Sequence, residues 1–114
     1  MAARVYVPDA GDVVWLQFDP QAGSEQAGTR PALVLSPALY NRKAGLMVCC
    51  PMTTRRKGYP FEVNVDVGGV QGAVLADQVK SLDWRQRKAR RKGVVDAAVM
   101  DEVRAKIKAL LLIR

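Results

Sequence analysis

The sequence predicts a small, mainly β fold finished by one C-terminal helix, and three observations carry that prediction. Short apolar runs recur between clusters of Gly, Pro and Asp, the punctuation of strands joined by tight turns. Beyond Asp96 the apolar spacing changes to three and four residues, the period of a helix face. At 114 residues, 49% hydrophobic and 25% charged, the chain has material for one domain, 1–114, with a modest core.

Val13 to Phe18 reads as the first strand, ended by Asp19-Pro20, with Trp15 and Phe18 as core residues because aromatics in strand patterns pack. Gln21 to Thr29, polar and holding Gly23 and Gly28, reads as a mobile loop. Pro31 to Ser36 is the second strand, which leaves Arg30 at a loop edge. Pro37 to Lys43 forms a turn of helix, and Leu46 to Met52 and Phe61 to Val67 are strands joined through Lys57-Gly58-Tyr59-Pro60. Gly68-Gly69 is a turn, Ala73 to Ala76 and Val79 to Asp83 continue the sheet, and Gly93 to Val95 is a short strand. Asp96 caps the helix, whose apolar face is Met100, Val103, Ile107, Leu110 and Leu111, set to pack on the sheet or on a partner. Glu102 and Lys106 stand at a favourable i, i+4 spacing.

Composition excludes several classes. No run of about 18 apolar residues is present, and the opening MAARVYVPDAGDVV lacks the apolar core of a signal peptide, so the expectation is a cytoplasmic protein with no membrane partner. The two cysteines, Cys49 and Cys50, are neighbours; on a strand they point to opposite faces, one to the core and one half-exposed. With no histidine and no spaced thiols there is no ligand set for zinc, and no cofactor is implied. The net charge of +7 is concentrated: six of the eight residues from Arg85 to Lys92 are basic, next to Trp84 and supplemented by Arg55, Arg56 and Lys57. Such a patch is the footprint expected for a polyanion such as nucleic acid. Trp84, at a strand end beside it, is placed either to stack a base or to make a core or dimer contact.

The segments YVPDAGDVVWLQFDP (Tyr6–Pro20), GSEQAGTRPALVLSP (Gly23–Pro37), the pair Tyr40-Asn41, TTRRKGYPFEV (Thr53–Val63), LADQVKSLDW (Leu75–Trp84) and the closing amphipathic helix resemble, in order and over nearly the whole chain, the MazF toxins of the wider PemK family of toxin endoribonucleases. The resemblance implies an SH3-like β-barrel of the CcdB and MazF type. It implies the toxin of a type II toxin–antitoxin pair: a homodimeric, metal-independent endoribonuclease that cuts single-stranded mRNA at a short motif, ACA- or UAC-like. The products would carry a 2′,3′-cyclic phosphate and a 5′-hydroxyl, and translation would stop. Its further partner would be an acidic MazE-like antitoxin lying over the basic groove, an arrangement that charge complementarity favours.

Cleavage through the substrate's own 2′-hydroxyl needs an acceptor for that proton, a donor for the leaving 5′-oxygen and donors for the phosphorane charge. The resemblance assigns the catalytic arginine to Arg30, whose fork matches phosphate geometry, and the catalytic threonine to Thr53, a hydroxyl donor. A guanidinium with a pKa above about 12 is a poor base near neutrality, so Glu25, in the same loop, stands beside Arg30 as candidate base. Substrate-binding candidates are Thr29, Thr54, Arg55, Lys57, Gln78, Lys80, Arg85, Arg87 and Lys88. Two other classes share the charge and fold: a non-catalytic RNA-binding barrel, which would not need Arg30 and Thr53 together, and a CcdB-like gyrase poison, whose tail holds a tryptophan where this chain ends Leu112-Ile113-Arg114.

Overall fold

The computed structural model describes residues 5–18 and 28–114, with Phe18 described at its backbone only. Among these the elements follow as β1 (Asp12–Phe18), β2 (Gly28–Val34), α1 (Ala38–Ala44), β3 (Leu46–Thr53), β4 (Glu62–Val67), β5 (Val70–Leu75), a 3-10 turn (Ala76–Gln78), β6 (Lys80–Asp83), β7 (Arg90–Val94) and α2 (Ala97–Leu111). The core status expected for Phe18 and the loop placement of Glu25 lie outside the described residues. Three strands begin three residues earlier than their sequence suggests, one of them β5 at Val70, paired with Val67 of β4. β2 starts at Gly28, because Leu16 and Gln17 of β1 offer pairing partners to Arg30 and Thr29. β7 starts at Arg90, paired with Trp15, so half of the basic run is sheet. Propensity alone shows none of these extensions; the neighbouring strand supplies each.

The strands lie in the order β4-β5-β3-β2-β1-β7, with β6 also on β3. β3 serves two sheets. Its first part pairs with β6 from Leu46 to Cys49 and with β2 from Cys49 to Pro51, and its end, Met52 and Thr53, pairs with β5. The sheet therefore curls, and its outer strands approach each other: a Cβ added at Gly93 of β7 would lie 3.0 Å from Val67 Cγ1 of β4. No pairing joins β4 to β7 among the described residues, so the expected barrel is a curled half-barrel with a C-terminal helix.

Apolar side chains divide between the two faces of the central strands. Inside the curl, Val13, Leu33, Cys50, Val63, Val74 and Val103 form one core with Met100 of α2. On the opposite face Val14, Leu16, Val34, Met47, Cys49 and Trp84 form a second, flanked by Tyr6, Val7, Leu82 and Ala89. Strands covered on both faces read as unbroken apolar runs, which is why Val13-Val14 and Ala32-Leu33-Val34 show no alternation. The same arrangement corrects the expectation for the cysteines: both are buried, one in each core. Burial pushes the Cys49 thiol up from 9.0 to about 11, against the opposing charges of Lys80 and Arg87. It pushes Cys50 from 9.0 to about 12.

Other expectations change on packing grounds. Trp84 is only 3% exposed and its indole N–H donates to the Asn41 carbonyl at 2.8 Å, so it is a core residue and not a stacking platform. Trp15 is half-buried, with the Lys92 ammonium 5.1 Å from its ring centroid. Asp96 does cap α2, its carboxylate accepting from the Val99 amide at 3.0 Å. Met100 and Val103 are buried, whereas Leu110 and Leu111 are exposed. Lys106 donates to the Pro60 carbonyl instead of pairing with Glu102.

Asn41 of α1 is fully buried and joins four parts of the chain. Its amide nitrogen donates to the carbonyls of Pro8 at 2.8 Å and Ser36 at 2.9 Å, and its side-chain oxygen accepts from the Ser36 hydroxyl at 2.6 Å. That hydroxyl in turn accepts from the Val48 amide of β3 at 2.8 Å. Asn41 thus holds the N-terminal segment and the Trp84 turn onto the sheet.

Replacing Asn41 with Ala removes these side-chain bonds and leaves buried carbonyls unsatisfied; urea denaturation should show a loss of about 2–4 kcal/mol with an unchanged m-value. Because both thiol pKa values are raised in the folded state, their contribution to stability is complete below the unfolded thiol pKa and declines above it. Stability should therefore fall as pH rises from 9.0 toward about 11. Cys49→Ala with Cys50→Ala should flatten that decline in alkaline denaturation series.

Candidate active site

Thr53 and Arg30 stand on either side of the place where β2 and β3 part. The ladder between these strands runs Val34 opposite Cys49, Leu33 opposite Cys50 and Ala32 opposite Pro51. Arg30 and Thr53 each lie two residues beyond the last rung of this ladder, Arg30 paired with Leu16 of β1 and Thr53 with Ala73 of β5. Pro51 has no amide hydrogen to extend the ladder, and the next two residues of β3 turn to β5 instead. Arg30 is exposed and has no hydrogen bond or ion pair among the described residues, leaving its fork open to solvent. Arg30 therefore sits within β2, not at the loop edge that its sequence suggests.

The Thr53 hydroxyl oxygen accepts from the Arg55 amide at 3.0 Å, a local turn that leaves the hydroxyl hydrogen free to be donated outward. The strand beneath it is fixed by close approach: a Cβ on Gly72 of β5 would fall 2.4 Å from the Thr53 carbonyl oxygen, so only glycine fits there. Thr54 and Arg55 lead into the exposed β3–β4 loop. Arg56 is tied down, its guanidinium donating to Gln71 at 3.1 Å.

Glu62 holds this loop in shape. One carboxylate oxygen accepts from the amides of Lys57 at 3.1 Å and Gly58 at 3.0 Å, and the other from Lys57 at 3.0 Å. Gly58 adopts φ +78°, and successive amides in such a turn make a concave anion seat, here filled from within the chain. Thr53, Arg55, Lys57 and Tyr59 on one side, with Glu62, Leu75, Asp77 and Gln78 on the other, then enclose a cleft of about 290 Å³. Tyr59, Glu62 and Asp77 are not singled out by the sequence reading. The available signal is an acid four residues after Gly58 and an acid beside Gln78.

The basic run does not form one surface. Arg85 lies over the Trp84 ring at 4.6 Å and donates to the Arg42 carbonyl at 3.1 Å, capping the end of α1. Arg91 faces Asp12 at 3.9 Å, and Lys92 lies over Trp15. Lys88 sits at the turn with φ 52°. Arg87 reaches the Gln17 carbonyl, and Gln17 is the partner of Thr29. Lys80 pairs with Cys49, and the charges of Lys80 and Arg87 both act on the Cys49 thiol. Lys80 and Arg87 are thus brought to the face that Arg30 occupies, while Arg85 and Arg91 are turned to structural work. Glu25 lies outside the described residues. Among those described, no three His, Cys, Asp or Glu side chains come together as a metal site.

Comparison with known proteins adds to this geometry. Residues 9–111 match the family model described as the PemK-like, MazF-like toxin of type II toxin–antitoxin systems. The chain is 54% identical over 106 residues to the endoribonuclease toxin MazF of Escherichia coli K12, covering 93% of this chain and 96% of that protein. It is 34% identical to the endoribonuclease PemK of Escherichia coli, covering 90% and 81% of the two chains. The fold is similar to the crystal structure of MazE–MazF from Deinococcus radiodurans, with a TM-score of 0.90 at 58% identity over 96% of this chain and 100% of that chain.

Gly72→Ala tests the close approach behind Thr53. The added methyl meets backbone that cannot rotate away, so the variant should lose about 1–3 kcal/mol of stability. In NMR spectra the amide signals of Thr53 and Thr54 should move while that of Asn41 stays in place.

Proposed function

This chain belongs to the PemK-like, MazF-like toxin family and is an endoribonuclease toxin of a toxin–antitoxin system, and on that premise we propose how its own residues cut RNA. The substrate is single-stranded mRNA, cut at a short motif of the ACA or UAC kind. The 2′-oxygen attacks the adjacent phosphorus, the bond from phosphorus to the 5′-oxygen breaks, and the products are a 2′,3′-cyclic phosphate and a 5′-hydroxyl. Arg30 and Thr53 bind the non-bridging oxygens as negative charge builds on them, the fork of one and the outward hydroxyl hydrogen of the other acting from opposite strands. The proton leaving the 2′-oxygen goes to Glu25, or to Arg30 if its guanidinium is deprotonated; the acid so formed, or water, gives a proton to the departing 5′-oxygen, and metal is not required. Lys80, Arg87, Arg55 and Lys57 hold the strand by its phosphates, and Thr29, Thr54, Gln78 and Lys88 extend the contact surface.

What supports this reading is the placement of Arg30 and Thr53 two residues past the last β2–β3 rung, at the point where the two strands separate. The chain works as a single domain, in the cytoplasm, as a homodimer. Leu110, Leu111, Leu112 and Ile113, all exposed at the end of α2, supply apolar surface suited to a second copy. An acidic MazE-like antitoxin competes with RNA for the same cations. No helix is long and apolar enough to cross a membrane among the described residues.

Arg30→Ala should abolish cleavage of a short RNA while circular dichroism and unfolding midpoint stay unchanged, since the residue is exposed. Arg30→Lys should remain severely impaired because an ammonium lacks the bidentate fork. Thr53→Ala should lower kcat about 10²-fold, the scale of one oxyanion donor, with activity in both proteins insensitive to EDTA. Wild-type turnover by either Ala variant would sink the assignment.

A further inference from the structure

The β3–β4 loop brings Arg55 and Lys57 to the cleft, and among the described residues neither side chain makes a hydrogen bond or ion pair. Two cations on an exposed loop hold a phosphate strand well only if the loop already stands still, because ordering it on binding costs free energy. Its fastenings differ in kind. The Arg55 amide donates to Thr53 Oγ1 at 3.0 Å, and the Lys57 and Gly58 amides donate to the Glu62 carboxylate at 3.0 to 3.1 Å. Those acceptors flank the loop in sequence, so they shape it without fixing where it stands over the rest of the protein. Two bonds do that. Arg56 donates to Gln71 at 3.1 Å, between two exposed side chains. At the far end of the loop Lys106 Nζ donates to the Pro60 carbonyl, 46 positions away in the chain. Lys106 is half-buried on α2, beside Ile107, which packs on the inner core, and one turn after Val103, which is fully buried. Pro60 has a fixed φ, and the Phe61 carbonyl after it accepts from the Ala76 amide at 3.0 Å, so Lys106 grips stiff backbone. The same helix packs on the 3-10 turn that forms the opposite wall of the cleft.

We propose that Lys106 is a positioning residue for RNA binding: by holding the Pro60 carbonyl to α2, it sets the β3–β4 loop so that Arg55 and Lys57 meet the RNA backbone without first having to be ordered. Lys106 itself does not touch the strand. Its ammonium is engaged at a backbone carbonyl, and it is Arg55 and Lys57, not Lys106, that line the cleft. Without the Lys106 bond the loop has to be ordered at the moment of binding, so the loss falls on KM. The cleavage step at Arg30 and Thr53 keeps its rate. The proposal rests on the reading of Arg55 and Lys57 as phosphate contacts of an enzyme that cuts single-stranded RNA.

The test compares wild type with Lys106→Met, which keeps the apolar stem and removes the ammonium, and Lys106→Arg, which restores a donor. Cleavage is read on a short RNA and binding on the same RNA with its 2′-hydroxyls methylated, which cannot be cut. Lys106→Met should raise KM and the Kd of the methylated RNA about tenfold with kcat changed less than about twofold, the scale of one charge-assisted hydrogen bond. Lys106→Arg should recover most of that loss. In a protein that already carries Arg55→Ala and Lys57→Ala, adding Lys106→Met should change Kd by less than about twofold, because a residue acting through those cations has nothing left to act on. In NMR spectra of the free protein, Lys106→Met should move the amide signals of Lys57 and Gly58 and leave that of Asn41 in place. An unchanged KM in Lys106→Met, a full loss that persists without Arg55 and Lys57, or loop signals that stay where they were would each overturn the proposal. If wild type neither binds nor cuts RNA while Lys106→Met still moves the loop signals, Lys106 sets the loop and the reading of the chain as an RNA-cutting enzyme is what fails.

Discussion

Strand β3 pairs with β2 and β6 as far as Pro51 and with β5 from Met52 onward, so one strand must belong to two sheets. That division sets the curvature, and with it the two cores on opposite faces of β1, β2 and β3. It also places the proposed reaction centre. Where a proline withholds its amide, the β2–β3 ladder ends and the strands part, leaving Arg30 and Thr53 on opposite banks with their backbones still held by β1 and β5. Gly72 completes the arrangement, because any side chain there would push β5 away from the Thr53 carbonyl.

Electrostatics in this endoribonuclease are more selective than the net charge of +7 indicates. Several cations are consumed in the fold itself: Arg85 on the last turn of α1, Arg56 on Gln71, Arg91 beside Asp12, Lys92 on Trp15. What remains near the proposed reaction centre is a smaller set, Arg30, Arg55, Lys57 and Lys80. Acidic residues are not excluded from the neighbourhood, and the two that line the cleft differ in state. Both Glu62 oxygens accept loop amides, while Asp77 keeps its acceptor capacity.

Much of the fold is legible in the sequence because its signals are local. Periodicity marks α2, Asp96 marks its cap, and Asp, Gly and Pro mark the turns. The misreadings share one cause, the neighbours that a one-dimensional pattern cannot show. Trp84 next to six basic residues has the appearance of a stacking surface, yet a buried Asn41 carbonyl receives its indole N–H. Cys49 and Cys50 alternate as strand residues must, but both alternate faces are covered. The stripe on α2 is real along its whole length, but it packs on the core only as far as Ile107 and leaves Leu110 and Leu111 exposed.

The succession of strands along the chain and the terminal helix were determined by sequence, since each rests on residue type and spacing, and the family resemblance read from the same residues supplied Arg30 and Thr53 as candidates. The tertiary structure decided which charges are free and which residues share a face. A side chain's availability depends on what other elements bring against it: the Arg42 carbonyl takes Arg85, and the loop amides take Glu62. For the same reason Asp77 and Tyr59 came into view only once the turn after β5 and the loop after β3 were found to line one cleft. Those residues lie 18 positions apart in the chain, and no local pattern joins them.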